Sequence, residues 1–130
     1  MVIGYAVGSF DLLNVRDLDV IAQAGERCSS LLLGVLTDDA AEALHGRRPV
    51  VPLVERMALL EHVRGVAEVV VHDVDVATRA DLLFVTSPAA AVLLPEPVEL
   101  LVPRRDTASP MLRAALSIGS GRDAGVEAVA

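Results

Sequence analysis

Ten residues near the start of the chain combine small, acidic, amide and basic side chains: Gly8-Ser9-Phe10-Asp11-Leu12-Leu13-Asn14-Val15-Arg16-Asp17. The apolar run Val2-Ile3-Gly4-Tyr5-Ala6-Val7 before them reads as a buried strand, and the stretch from Leu18 to Cys28 reads as a helix. A small-residue turn between a strand and a helix is a natural anion site. Unpaired backbone N–H groups and the positive end of the helix dipole both point into it. Arg16 stands at that helix start, and Arg47, Arg48 and Arg105 stand in later loops. If these loops gather at the carboxyl ends of parallel strands, the four arginines converge on one anion pocket. His45 is a further candidate to contact phosphate there. Asp11 is a candidate either to orient the phosphate turn or to satisfy its own backbone.

The elements that must position these groups alternate between strand and helix. Strands are expected at 2–7, 30–36, 66–72, 82–85 and 98–102. Helices are expected at 16–26, 38–44 and 53–64, with a single turn in 73–80 and a final helix at 111–118 that opens on Ser109-Pro110. The first helix presents Leu18, Ile21, Ala22 and Gly25 on one face, and the 53–64 helix presents Met57, Leu60 and Val63. Such alternation predicts an α/β fold: a single Rossmann-like domain whose five-stranded, mostly parallel sheet has helices on both faces. The domain spans residues 1–118, and 119–130 read as a loose, small-residue tail.

Composition sets further bounds. With 2% aromatic residues the core must be aliphatic. A net charge of −7 argues against a nucleic-acid partner. No apolar run is long enough for a membrane span. The lone Cys28 rules out an internal disulfide and points to a cytoplasmic setting. All 11 basic residues are arginine, which excludes Schiff-base chemistry and a lysine phosphate clamp. His45, His62 and His72 are too far apart in sequence for a zinc site, so no metal held by protein ligands alone is expected. Ser9 and Ser87 have no histidine at hydrolase spacing.

The opening turn resembles the G-x-F-D-x-x-H-x-G-H signature of the cytidylyltransferase-like nucleotidyltransferases. Its first half is kept, while the second half reads Asn14-Val15-Arg16-Asp17. Leu36-Thr37-Asp38-Asp39 is similar to the family's S-T-D-E, and the segment from His45 to Arg56 is similar to K-G-R-x-P-V-V-P-x-x-E-R. Arg64-Gly65-Val66-Ala67-Glu68-Val69-Val70 resembles R-x-V-D-x-V-V. By the same resemblance, the stretch Thr86-Ser87-Pro88-Ala89 falls where the family has its fourth-strand loop. The glycerol-3-phosphate cytidylyltransferases look like the nearest branch.

The resemblance implies the nucleotidyltransferase type of α/β fold, a homodimer, and a reaction. A phosphate or phosphonate oxygen attacks the α-phosphate of CTP, or of another nucleoside triphosphate carrying Mg²⁺, and pyrophosphate leaves. It places Asn14 and Asp17 where the family has its two histidines, and Arg16 where it has the glycine between them. Asn14, Arg16, Asp17 and Arg47 fall at catalytic positions. Gly8, Ser9, Phe10, Asp11, His45, Arg48, Arg105, Thr107 and Ser109 fall at nucleotide-binding ones. Partners are then a nucleotide and a small phosphorylated molecule. Since the histidines and the glycine are all replaced, a second expectation stands beside the enzyme: an inactive relative that binds a nucleotide or anion, or serves as a structural oligomeric protein.

Overall fold

The computed structural model describes residues 1–104. Arg105, Thr107 and Ser109, the expected final helix and the tail lie outside the described residues. The elements run β1 (Ile3–Gly8), α1 (Val15–Arg27), β2 (Ser30–Val35), α2 (Asp38–His45), α3 (Leu53–Leu60), β3 (Glu68–Val71), α4 (Val74–Ala77), β4 (Leu82–Val85), a 3-10 helix η1 (Pro88–Leu93) and β5 (Glu99–Leu100).

The five strands form one sheet in the order β3-β2-β1-β4-β5, and every pairing is parallel. The chain winds outward from β1 to β3, then crosses back to lay β4 on the other side of β1. That reversal leaves a crevice at the carboxyl ends of β1 and β4, where open α/β sheets take their ligands.

Helices cover both faces. Val20, Ile21 and Ala24 of α1 and Leu60 of α3 pack with Ala6, Leu31, Leu33, Val35 and Phe84 on one face. Ala41 of α2, Ala77 of α4 and Ala90 of η1 pack with Tyr5, Val7, Leu36 and Val85 on the other. The core is aliphatic apart from Tyr5, Phe10 and Phe84.

Several local expectations need correction. The buried face of α1 is Val20, Ile21 and Ala24; Leu18 is 42% exposed. The helix carries two adjoining apolar stripes, and the one with β-branched Val20 and Ile21 meets the sheet. α3 stops at Leu60, four residues early, because the chain tightens into i→i−3 bonds (His62 N to Leu59 O, Val63 N to Leu60 O). This turn delivers the Ala67 N–H to the Leu31 carbonyl and starts the third strand's pairing. Pro88 and Ala89, expected in a loop, instead open η1, which runs to Leu93 with proline in its first turn. Among the described residues, no helix is long and apolar enough to cross a membrane.

Candidate functional site

β1 ends at Gly8, and the chain leaves the sheet under strain. Phe10 and Leu12 adopt left-handed backbone angles (φ 51° and 52°), each costing about 1–3 kcal/mol for a non-glycine residue. Two contacts hold the turn in that shape. The Phe10 ring is buried in the core, 6% exposed. The Asp11 carboxylate accepts from the Val50 and Val51 N–H groups, both at 2.9 Å. Asp11 thus ties the strand–helix turn to the loop that follows α2. Gly8 belongs to the same arrangement, because a Cβ there would lie 2.8 Å from the Thr86 hydroxyl at the end of β4.

The central tie is a residue that sequence reasoning quoted without giving it a role. Arg56 is 1% exposed. Its guanidinium donates to the carbonyls of Val51 (2.8 Å), Ser9 (2.7 Å) and Leu36 (2.8 Å), and to the Asp38 carboxylate (2.5 Å). One buried cation therefore joins the β1 turn, the exit of β2, the first turn of α2 and the loop before α3. A planar fork with five donors suits four acceptors arranged around it. The signal that could have found it is an arginine at the end of a matched motif on an apolar helix.

Around these ties lies a polar cavity of about 470 Å³ bordered by Ser9, Asp11, Leu12, Ala41, His45, Arg47, Arg48 and Pro49. Five of the sequence-derived candidates, Ser9, Asp11, His45, Arg47 and Arg48, thus meet at one place. Thr37 caps α2 by accepting from the Ala40 N–H at 3.1 Å, and the left-handed Gly46 ends the helix so that His45 and Arg47 reach the cavity. Arg47 is exposed and forms no ion pair among the described residues. Arg48 turns away to Asp39 (2.7 Å) and Glu42 (3.1 Å), and these carboxylates, Asp39 first, hold its pKa above the ordinary arginine value.

Asn14, Arg16 and Asp17 stand apart from this cavity, at the start of α1. Asn14 caps the helix: its side-chain oxygen accepts from the Arg16 N–H at 2.9 Å and the Asp17 N–H at 3.3 Å. Asp17 completes a capping box by accepting from the Asn14 N–H at 3.2 Å. Burial pushes the Asp17 carboxyl up in pKa, against the Asn14 hydrogen bond and the nearby Arg16 charge. Two of the backbone donors that would greet a phosphate are therefore satisfied by the helix itself. Arg16 is exposed and forms no ion pair among the described residues. Among the described residues, no group of three or more His, Cys, Asp or Glu side chains is placed to hold a metal ion.

The cytidylyltransferase-like family profile matches residues 5–113. The bifunctional protein HldE of Acidiphilium cryptum (strain JF-5) is 35% identical over 91 residues, which are 69% of this chain and 18% of that protein. The chain thus spans less than a fifth of that relative. The crystal structure of the lipopolysaccharide core biosynthesis protein from Thermoplasma volcanium GSS1 matches with a TM-score of 0.67 at 15% identity, over 81% of this chain and 99% of that one. That likeness concerns the fold. The strand order, the Gly-x-Phe-Asp turn tied to the 45–56 loop, and a family match over most of the sequence lead to one conclusion: the chain belongs to the cytidylyltransferase-like nucleotidyltransferase family.

Proposed function

We propose that the chain binds a nucleoside triphosphate, CTP in the first instance, and transfers its nucleotidyl group to a small phosphate or phosphonate acceptor. The observation that carries this reading is the shared polar cavity, bordered by Ser9, His45 and Arg47, which has no ion pair among the described residues, and locked in place by Asp11 and Arg56. In the reaction an acceptor oxygen bonds to the α-phosphorus as the bond to the β-phosphate bridge breaks, and pyrophosphate leaves. The protein's task is to position the groups and to neutralise the growing negative charge. Arg47 and Arg16 supply fixed positive charge, and His45 supplies a hydrogen-bond donor. The Asp17 carboxylate has one oxygen outside the capping box, which suits a single protein ligand to a phosphate-bound Mg²⁺. Mg²⁺ would there offset the repulsion between the carboxylate and the triphosphate. We infer a cytoplasmic homodimer as the chain's working form.

A second reading is favoured by two specific observations. The α1 start is self-capped, and Arg48 is neutralised by Asp39 and Glu42. Both fit a relative that binds a nucleotide or another anion without turnover, or acts only as an oligomeric partner. The test is pyrophosphate release from CTP and ATP with Mg²⁺ across a panel of phosphate and phosphonate acceptors, run beside a thermal-shift screen of the same nucleotides. Turnover supports the transferase. A nucleotide-dependent rise in melting temperature without turnover supports the binding protein. No response in either assay overturns the nucleotide reading and leaves the structural role.

A further inference from the structure

On the face of the sheet away from α1, Tyr5 is fully buried. From β1 its side chain crosses β2 at Gly34, where a Cβ would coincide with the tyrosine hydroxyl. It ends at β3's exit, with its oxygen 2.7 Å from His72 Nδ1 and accepting from the Asp73 N–H at 3.2 Å. A phenol has one proton to give. Since the Asp73 N–H is a donor, the tyrosine proton goes to Nδ1, and neutral His72 carries its own proton on Nε2. The polar chain thus spans three strands. The groups that face the imidazole are Tyr5 from β1, Asp73 from the turn after β3 and the Leu93 backbone from η1; the charged one is Asp73. Nothing in the proposed reaction uses this chain of contacts.

We propose that the Tyr5–His72 pair is an acid-sensitive strut, and that protonation of His72 loosens the β3 exit from the strands it is tied to. A proton arriving on Nδ1 takes the place of the tyrosine's. The tyrosine oxygen then faces two donors, and its own proton is left without an acceptor in a buried site. Burial favours the neutral ring, and this outweighs the opposing pull of the Leu93 backbone and the Asp73 charge.

The sign follows from the histidine's pKa, which lies below its usual 6.5 in the folded chain. The strut's contribution is present above the unfolded pKa and lost as pH falls through the folded value. The experiment is urea unfolding of the full chain at pH 8.0 and pH 5.5, with hydrogen exchange of the backbone amide at position 72, which bonds to Val35 O. Wild type should show a lower urea midpoint at pH 5.5, and a lower protection factor at that amide after correction for the intrinsic exchange rate. His72→Phe should lose less of its midpoint over the same range. Tyr5→Phe, which leaves no stranded phenol proton, should do the same and serves if His72→Phe fails to fold. Equal pH dependence in wild type and the variant that folds overturns the proposal, as does a His72 NMR titration at or above the ordinary value. Because neither readout involves nucleotide, a failed strut and a failed nucleotide site give different results.

Discussion

Replacing Arg56 with methionine keeps a long, flexible stem and removes every donor. Three carbonyls and the Asp38 carboxylate lose their partner at once. A stranded buried acceptor costs about 1–3 kcal/mol. Water recovers part of this at Asp38, whose side chain is 26% exposed, and at the part-buried bonds to Ser9 and Val51. The bond to Leu36 is fully buried and has no such relief. The expected loss is therefore about 3–5 kcal/mol, the range found when one member of a buried pair is removed. A domain of this size has about 5–15 kcal/mol in all, so the variant should sit close to unfolding. Arg56→Lys retains charge but offers three donors to four acceptors and no planar fork, with an expected cost of about 2 kcal/mol. Urea unfolding followed by far-ultraviolet circular dichroism measures both, since the chain has no tryptophan to report. A methionine variant within about 1 kcal/mol of wild type would show that the guanidinium is not the tie described above.

Asp11→Ala should free the 45–51 loop, lower stability by about 1–2 kcal/mol and speed tryptic cleavage after Arg47; an unchanged cleavage rate would remove the carboxylate from its proposed role. Gly34→Ala should unfold the chain or cost several kcal/mol through its clash with Tyr5, and adding Tyr5→Val should restore part of the loss in a thermal melt. Asp17→Asn tests the capping box. The folded-state pKa of Asp17 is raised, so its ionised form is penalised and wild type loses stability as pH rises through that value. The stability difference favouring the asparagine variant should grow from pH 3 to pH 7. Under the nucleotide reading, the same change should weaken CTP binding in calorimetry with Mg²⁺ present, because it removes the one protein ligand proposed for the ion.

The strands were legible where an apolar run was continuous: 82–85 was placed as observed, and β1 and β2 within a residue or two. Periodicity failed where two stripes competed, as in α1, because hydropathy alone does not choose between Leu18 and Val20. The alanine run 89–91 hid η1, since short 3-10 turns leave no 3.6-residue period. Of the site, the loops that meet at the cavity could be read from the motif. What Asn14 and Asp17 do could not, because a capping box and a phosphate contact use the same atoms. Arg56 and the Tyr5–Gly34 crossing were invisible for another reason. Each depends on partners 18 to 47 residues away, or 29 in the case of the glycine, and spacing along the chain carries no record of that.

The span from Val51 to Arg56 acts as a measured spacer. Val51 is fixed at one end by its N–H on Asp11, and its carbonyl receives the Arg56 side chain five residues later. One residue inserted or deleted there would turn the arginine by about 100° around the α3 axis and carry it away from all four acceptors. The 46–49 stretch has no such gauge among its backbone contacts beyond the Gly46 cap. Relatives that share this lock should therefore vary in length before Val50 and keep a constant count after it.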